Sequence, residues 1–161
     1  MEKFLNLEGL QMGKWDMGPG VVEFPSGLRL RGRSWRTPAE IPADVCVVLA
    51  TGVGNRFGES KVMSNAKETI VIDWPDFRLP RRSAHALEVL AEVGKRAQDE
   101  RVEITSGDGL GRTGTAMAVI ATLAGMDPQE AIDWVRNHYD HRAVGTHAQR
   151  AFVFDIGAEA N

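Results

Sequence analysis

The part of the chain richest in chemistry runs from Val102 to Thr115. A short apolar stretch leads into Ser106-Gly107-Asp108-Gly109-Leu110-Gly111-Arg112, and then into Thr113 and a helix-like run. Glycines at 107, 109 and 111 let backbone N–H groups converge on one point, and N–H groups at a helix start form a ready anion site. Arg112 adds a permanently charged planar fork that can grip a phosphoryl group bidentately. The chemistry implied is recognition of a phosphate. Two other phosphate loops share parts of this composition. A Walker loop needs lysine after its last glycine, and Gly111 is followed by Arg112. The dinucleotide fingerprint is matched literally by Gly109 to Gly114. A Rossmann unit, however, should return to a second parallel strand carrying an acid about 20 residues on. Here the helix leads straight into Asp127-Pro128. A purely structural glycine turn is the third alternative. Asp108 sets a carboxylate inside the loop, which disfavours polyphosphate or phosphoinositide headgroups.

The elements that would position this loop can be read from periodicity. Val21 to Phe24 and Leu28 to Arg31, joined through Pro25-Ser26-Gly27, read as a hairpin. Cys46 to Ala50 is a continuous apolar run suited to a buried strand, and Thr69 to Ile72 reads as a second one. The stretch Thr51 to Ser60 between them reads as loop. Ser83 is placed to cap a helix with apolar positions at Ala86, Leu87, Leu90, Ala91, Val93 and Ala97. Val102 to Thr105 is a short strand, and a helix over Ala116 to Ala124 is stopped by Gly125. Asp127-Pro128 starts a helix through about Asn137. Thr146 caps a last helix, with Gln149 as its capping-box partner. The expectation is an α/β fold, a central mostly parallel sheet flanked by helices, with the phosphate loop at a strand-to-helix junction. Residues 1–20 read as an N-terminal extension and 21–158 as a single domain.

At 161 residues and a formal charge of −3, the chain suits one domain and lacks the basic footprint of bulk nucleic-acid binding. Its lone cysteine, Cys46, can form neither an internal disulfide nor a thiolate cluster, and reads as a small buried residue. No apolar stretch approaches the roughly 20 residues that span a bilayer, and the start lacks a signal-peptide pattern. A cytoplasmic monomer without membrane contact is expected. Arg29, Arg31 and Arg33 alternate along a strand and read as a solvated face. Arg78, Arg81 and Arg82 could meet an anionic substrate or simply face water. Trp134 and Phe152 read as core.

Ser106 to Gly114 resembles the signature Cys-x5-Arg-Ser/Thr-Gly of the cysteine-dependent protein tyrosine and dual-specificity phosphatases, in the manner of a small bacterial-type member. Trp74-Pro75-Asp76 is similar to the mobile loop that supplies the general acid. Thr146-His147-Ala148-Gln149 is similar to the segment whose glutamine positions the hydrolytic water. The resemblance covers residues 20–157. It implies a nucleophile at position 106, with Gly107, Asp108, Gly109, Leu110, Gly111 and Arg112 holding phosphate. It also implies Asp76 as acid and then base, Thr113 as hydrogen-bond partner of the leaving sulfur, and Gln149 near the water. No metal or other cofactor is implied. The partner would be a phosphorylated protein or a small phosphate monoester, with the preference between phosphotyrosine and phosphoserine/threonine left open.

Two residues depart from that pattern: serine stands at 106, and Thr105 replaces the usual preceding histidine. A free thiol ionises near pH 8.5 and can be lowered to about 3.5–7.5 beside a helix N-terminus and an arginine. A hydroxyl needs an adjacent base, and the loop holds no histidine. The expectation is a chain almost inert in covalent phosphoryl transfer. It is either a substrate-trapping cysteine-to-serine form or, alternatively, a natural pseudophosphatase that binds phosphorylated partners. The presence of Asp76, Arg112 and Gln149 favours the first.

Overall fold

A computed structural model describes residues 14–51 and 64–160. Its five strands are β1 (Val21–Glu23), β2 (Arg29–Ser34), β3 (Val45–Ala50), β4 (Glu68–Asp73) and β5 (Val102–Ser106). They form one sheet in the order β1-β2-β5-β3-β4. Only the β1–β2 pair, the expected hairpin, is antiparallel. The pairs β2–β5, β3–β5 and β3–β4 are parallel. The described residues contain the helices α1 (Ser83–Arg96), α2 (Gly111–Leu123), α3 (Pro128–His138) and α4 (His147–Ala160). The mixed α/β architecture is the one expected, and none of these helices is long and apolar enough to cross a membrane.

Alternation along the strands divides the core. On β3, Val45, Val47 and Leu49 join Val102 and Ile104 of β5 in the cluster shared with the helices, which includes Leu90, Met117, Ile132 and Val153. Cys46, Val48 and Ala50 point the other way and pack with Trp35. Both faces are covered, so β3 reads as an unbroken apolar run with no residue exposed. Helix α2 is the hub, packing on β5, α1, α3 and α4.

Several local expectations need correction. The strand 68–73 is buried on one side only: it forms the sheet edge, bonded to β3 alone, and Ile72 is buried while Val71 is 54% exposed. Ser83 is the first helical residue rather than the cap; Arg82 precedes the helix and makes no side-chain cap bond. Helix α2 begins at Gly111, not Ala116, so the helix starts inside the glycine-rich loop. Asp127 does cap α3, accepting from Gln129 N and Glu130 N, with Pro128 in the first turn. Most of the stretch 51–60 lies outside the described residues.

The arginine row also corrects the sequence reading. Arg31 and Arg33 are not solvated but turned inward, and the carboxylate of Glu103 lies between them. Arg31 Nε donates at 2.6 Å, Arg33 Nε at 3.0 Å and Arg33 Nη2 at 2.9 Å. Glu103 is 1% exposed. The register places Arg31, Glu103 and Cys46 side by side on β2, β5 and β3. Trp15 closes this face, with its indole N–H donating to Val102 O at 2.8 Å and Arg31 stacked 3.9 Å over its ring. Removing one member of a buried ion cluster leaves its partners charged and desolvated, at a cost of about 3–5 kcal/mol. Glu103→Ala should therefore lower the unfolding free energy by that much, read as a lower urea midpoint at an unchanged slope. A loss below about 1 kcal/mol would mean the guanidinium groups find solvent instead.

Candidate active site

The loop after β5 lies at the carboxyl end of the parallel strands, where open α/β sheets place their ligands. Ser106 ends β5 and is fully buried. Its Oγ lies 2.8 Å from Thr113 Oγ1 and accepts the Gly109 N–H at 3.2 Å. Gly109 has φ +72°, and a Cβ there would sit 2.5 Å from Ser34 N, so the turn requires glycine. Leu110, which precedes α2, contributes no side-chain cap. The first N–H groups of that helix are thus directed at the loop with the positive end of its dipole behind them.

Arg112, in the first turn of α2, is 4% exposed and spans the sheet end. Its Nη1 donates to Leu49 O and Trp74 O, each at 3.0 Å. Its Nε lies 3.5 Å from Asp76 Oδ1, and its guanidinium carbon 5.6 Å from the Trp35 ring centre. One arginine therefore ties β3 and the Trp74-Pro75-Asp76 turn to the 106–112 loop. Trp74 is completely buried, with its indole N–H donating to Arg78 O at 2.7 Å and its ring edge-on to Phe152 at 6.2 Å. Asp76 itself is half-exposed, and Phe77 beside it has φ +63°.

Gln149 is buried, though not as a capping-box partner. Thr146 Oγ1 accepts from Gln149 N at 3.1 Å, so the threonine caps α4. The glutamine Oε1, however, accepts from Gly145 N at 2.9 Å, and its Nε2 donates to Arg78 O at 3.1 Å. It thus links the segment after Trp74-Pro75-Asp76 to the segment before α4. Together Asp76, Phe77, Asp108, Gly111, Arg142 and Gln149 line a cleft of about 360 Å³. Among the basic residues that follow Asp76, Arg81 faces Asp73 at 3.7 Å on the surface.

The chain's cysteine is not in this loop. Cys46 is fully buried on β3, its Sγ 3.4 Å from Glu103 Oε1. Burial first, and then the Glu103 charge, push its thiol up to about 11. A thiol held neutral in this way is no nucleophile at neutral pH.

Four residues that the sequence reading passed over also touch this region. Ser34 Oγ donates to Gly107 O at 2.7 Å, and Arg36 Nη1 reaches the same carbonyl. The Tyr139 hydroxyl donates to Gly109 O. Arg136 donates to Ala143 O at 2.9 Å and Val144 O at 2.6 Å, fixing the wall of the cleft. One signal could have found the tyrosine. Gly32 stands in mid-strand, and a Cβ there would lie 2.5 Å from the Tyr139 ring.

Residues 46–156 match the family model described as protein-tyrosine phosphatase. The fold is shared with Tk-PTP in its active form (TM-score 0.63, 24% identity, 88% of this chain and 99% of that one). It is also shared with kinase associated phosphatase carrying serine in place of its catalytic-site cysteine (0.66, 17%, 90% and 98%). Human DUSP28 is a third similar structure (0.65, 17%, 86% and 96%). No curated protein matches the chain significantly by sequence.

Proposed function

We propose, given that the chain belongs to the protein-tyrosine phosphatase family, that the 106–112 loop holds a phosphate monoester and that position 106 is the nucleophile's place. The substrate class is phosphotyrosine, with phosphoserine or phosphothreonine in proteins as the wider range. The observation that supports this best is the 3.5 Å approach of Arg112 to Asp76, which joins the anion cradle to the one half-exposed carboxylate of the acid turn.

With cysteine at 106, the thiolate attacks phosphorus and a sulfur–phosphorus bond forms as the bond to the leaving oxygen breaks. Arg112 and the loop N–H groups hold the equatorial oxygens. Asp76 gives its proton to the leaving oxygen, then takes one from the water that hydrolyses the phosphoenzyme, and inorganic phosphate leaves. Thr113 Oγ1, 2.8 Å from the atom at 106, donates to the departing sulfur. Gln149, anchored at both ends of its amide, borders the path of that water.

With Ser106 the cradle remains and the nucleophile is lost, so the chain binds phosphorylated partners without turning them over. A natural phospho-reader is the second reading, favoured by the serine itself and by Thr105. In a Ser106→Cys background, Asp76→Asn should cost about 10²–10⁴-fold on an aryl phosphate with a poor leaving group. The cost should shrink as the leaving group improves. An equal loss across the leaving-group series would remove Asp76 from proton transfer.

A further inference from the structure

The phosphate loop can present N–H groups to its centre only if it turns carbonyls outward, because a trans peptide points the two in opposite directions. Those outward carbonyls need donors from elsewhere in the fold. Gly107 O receives the Ser34 hydroxyl at 2.7 Å and an Arg36 N–H, while Ser34 Oγ in turn accepts the Arg36 backbone N–H at 3.1 Å. With Gly107 O held outside, the Asp108 N–H of the same peptide is directed to the inside. Gly109 is split in the same sense: its N–H faces Ser106 Oγ at 3.2 Å, and its carbonyl faces the Tyr139 hydroxyl. The next N–H, that of Leu110, is held by Asp108 Oδ1 at 2.9 Å. The Gly109–Leu110 peptide is therefore gripped at both ends.

We propose that the hydroxyls of Ser34 and Tyr139 are positioning residues for phosphoryl transfer. Ser34 fixes the Gly107–Asp108 peptide so that the Asp108 N–H aims at the anion. Tyr139 fixes Gly109 by its carbonyl so that the Gly109 N–H stays on the atom at position 106. This rests on the phosphatase reading of the loop. Both donors sit on rigid elements. Ser34 ends β2, in register with Ser106 on β5. Tyr139 follows α3, its ring packed against Gly32 of the same β2. Burial first, and then the charges of Asp140, Asp108 and Glu103, raise the Tyr139 hydroxyl well above its ordinary range, so it stays a donor at all working pH values.

Tyr139→Phe keeps the ring against Gly32 and removes only the hydroxyl, and Ser34→Ala does the same on the other side. In the Ser106 protein each should weaken binding of tungstate, a tetrahedral phosphate analogue, by roughly 5- to 10-fold, the scale of one hydrogen bond. In the Ser106→Cys background each should move the pH profile of iodoacetate alkylation at 106 upward by on the order of half a unit to one unit. Ser34→Thr, which restores a hydroxyl, should recover both. Unchanged tungstate affinity and an unchanged alkylation profile, with only the melting temperature lowered, would overturn the positioning role. Absence of hydrolysis in Ser106→Cys would overturn the phosphatase reading instead, and the tungstate titration would still report on the loop.

Discussion

Ser106→Cys should turn the chain into a metal-independent phosphatase, with p-nitrophenyl phosphate hydrolysis rising on the order of 10⁴–10⁶-fold, the scale on which a covalent nucleophile is felt. Position 106 has no exposed surface, Arg112 closes the far side of the loop, and α2 begins five residues on at Gly111. Burial by itself favours the neutral thiol, but Arg112 and the helix N-terminus both favour a thiolate there. Vanadate and iodoacetate should abolish the gained activity, and chelators should leave it untouched. Cys46 provides its own control: with its thiol pushed up to about 11 beside Glu103, it should resist alkylation at neutral pH. The Ser106 parent should therefore take up no label, and Ser106→Cys should take up one.

Arg112→Ala in that active background should cost about 10³-fold or more in kcat/KM, roughly 4 kcal/mol of transition-state stabilisation. On the proposed function the guanidinium has two jobs that separate experimentally. It offers its fork to the anion, and it satisfies the carbonyls of Leu49 and Trp74. Losing the second job leaves buried acceptors unmatched and should lower stability by about 1–3 kcal/mol. Arg112→Lys keeps the charge but lacks the planar fork that could grip a phosphate bidentately while still bonding both carbonyls. It should regain part of the stability and little of the rate. Equal recovery of both would reduce Arg112 to a structural strut.

The architecture was legible where pattern and environment agree. The unbroken run of β3 and the Asp127-Pro128 helix start follow from burial on both faces and from one capping carboxylate. The edge strand β4 misled because Thr-Ile-Val-Ile has the same composition whether or not a neighbour covers it. The start of α2 was hidden because Gly-Arg-Thr-Gly carries poor helix propensity, and tertiary packing overrides it. Arg31 and Arg33 look like any alternating solvated pair until Glu103, distant in sequence, is seen between them. The site divides in the same way. The loop and its arginine lie within one contiguous segment, whereas Ser34, Arg36 and Tyr139 reach it only through the sheet and the helix layer.

The central claim is that position 106 is where a phosphoryl group becomes covalently attached. The direct test is a rapid denaturing quench of Ser106→Cys, Asp76→Asn protein mixed with p-nitrophenyl phosphate, followed by peptide mass spectrometry. Without the Asp76 carboxylate to draw a proton from water, the second step slows and the intermediate should accumulate. A single phosphoryl adduct on the peptide containing residue 106 is the expected result. Hydrolysis that proceeds with no adduct at 106, or with the adduct on another residue, would contradict the account.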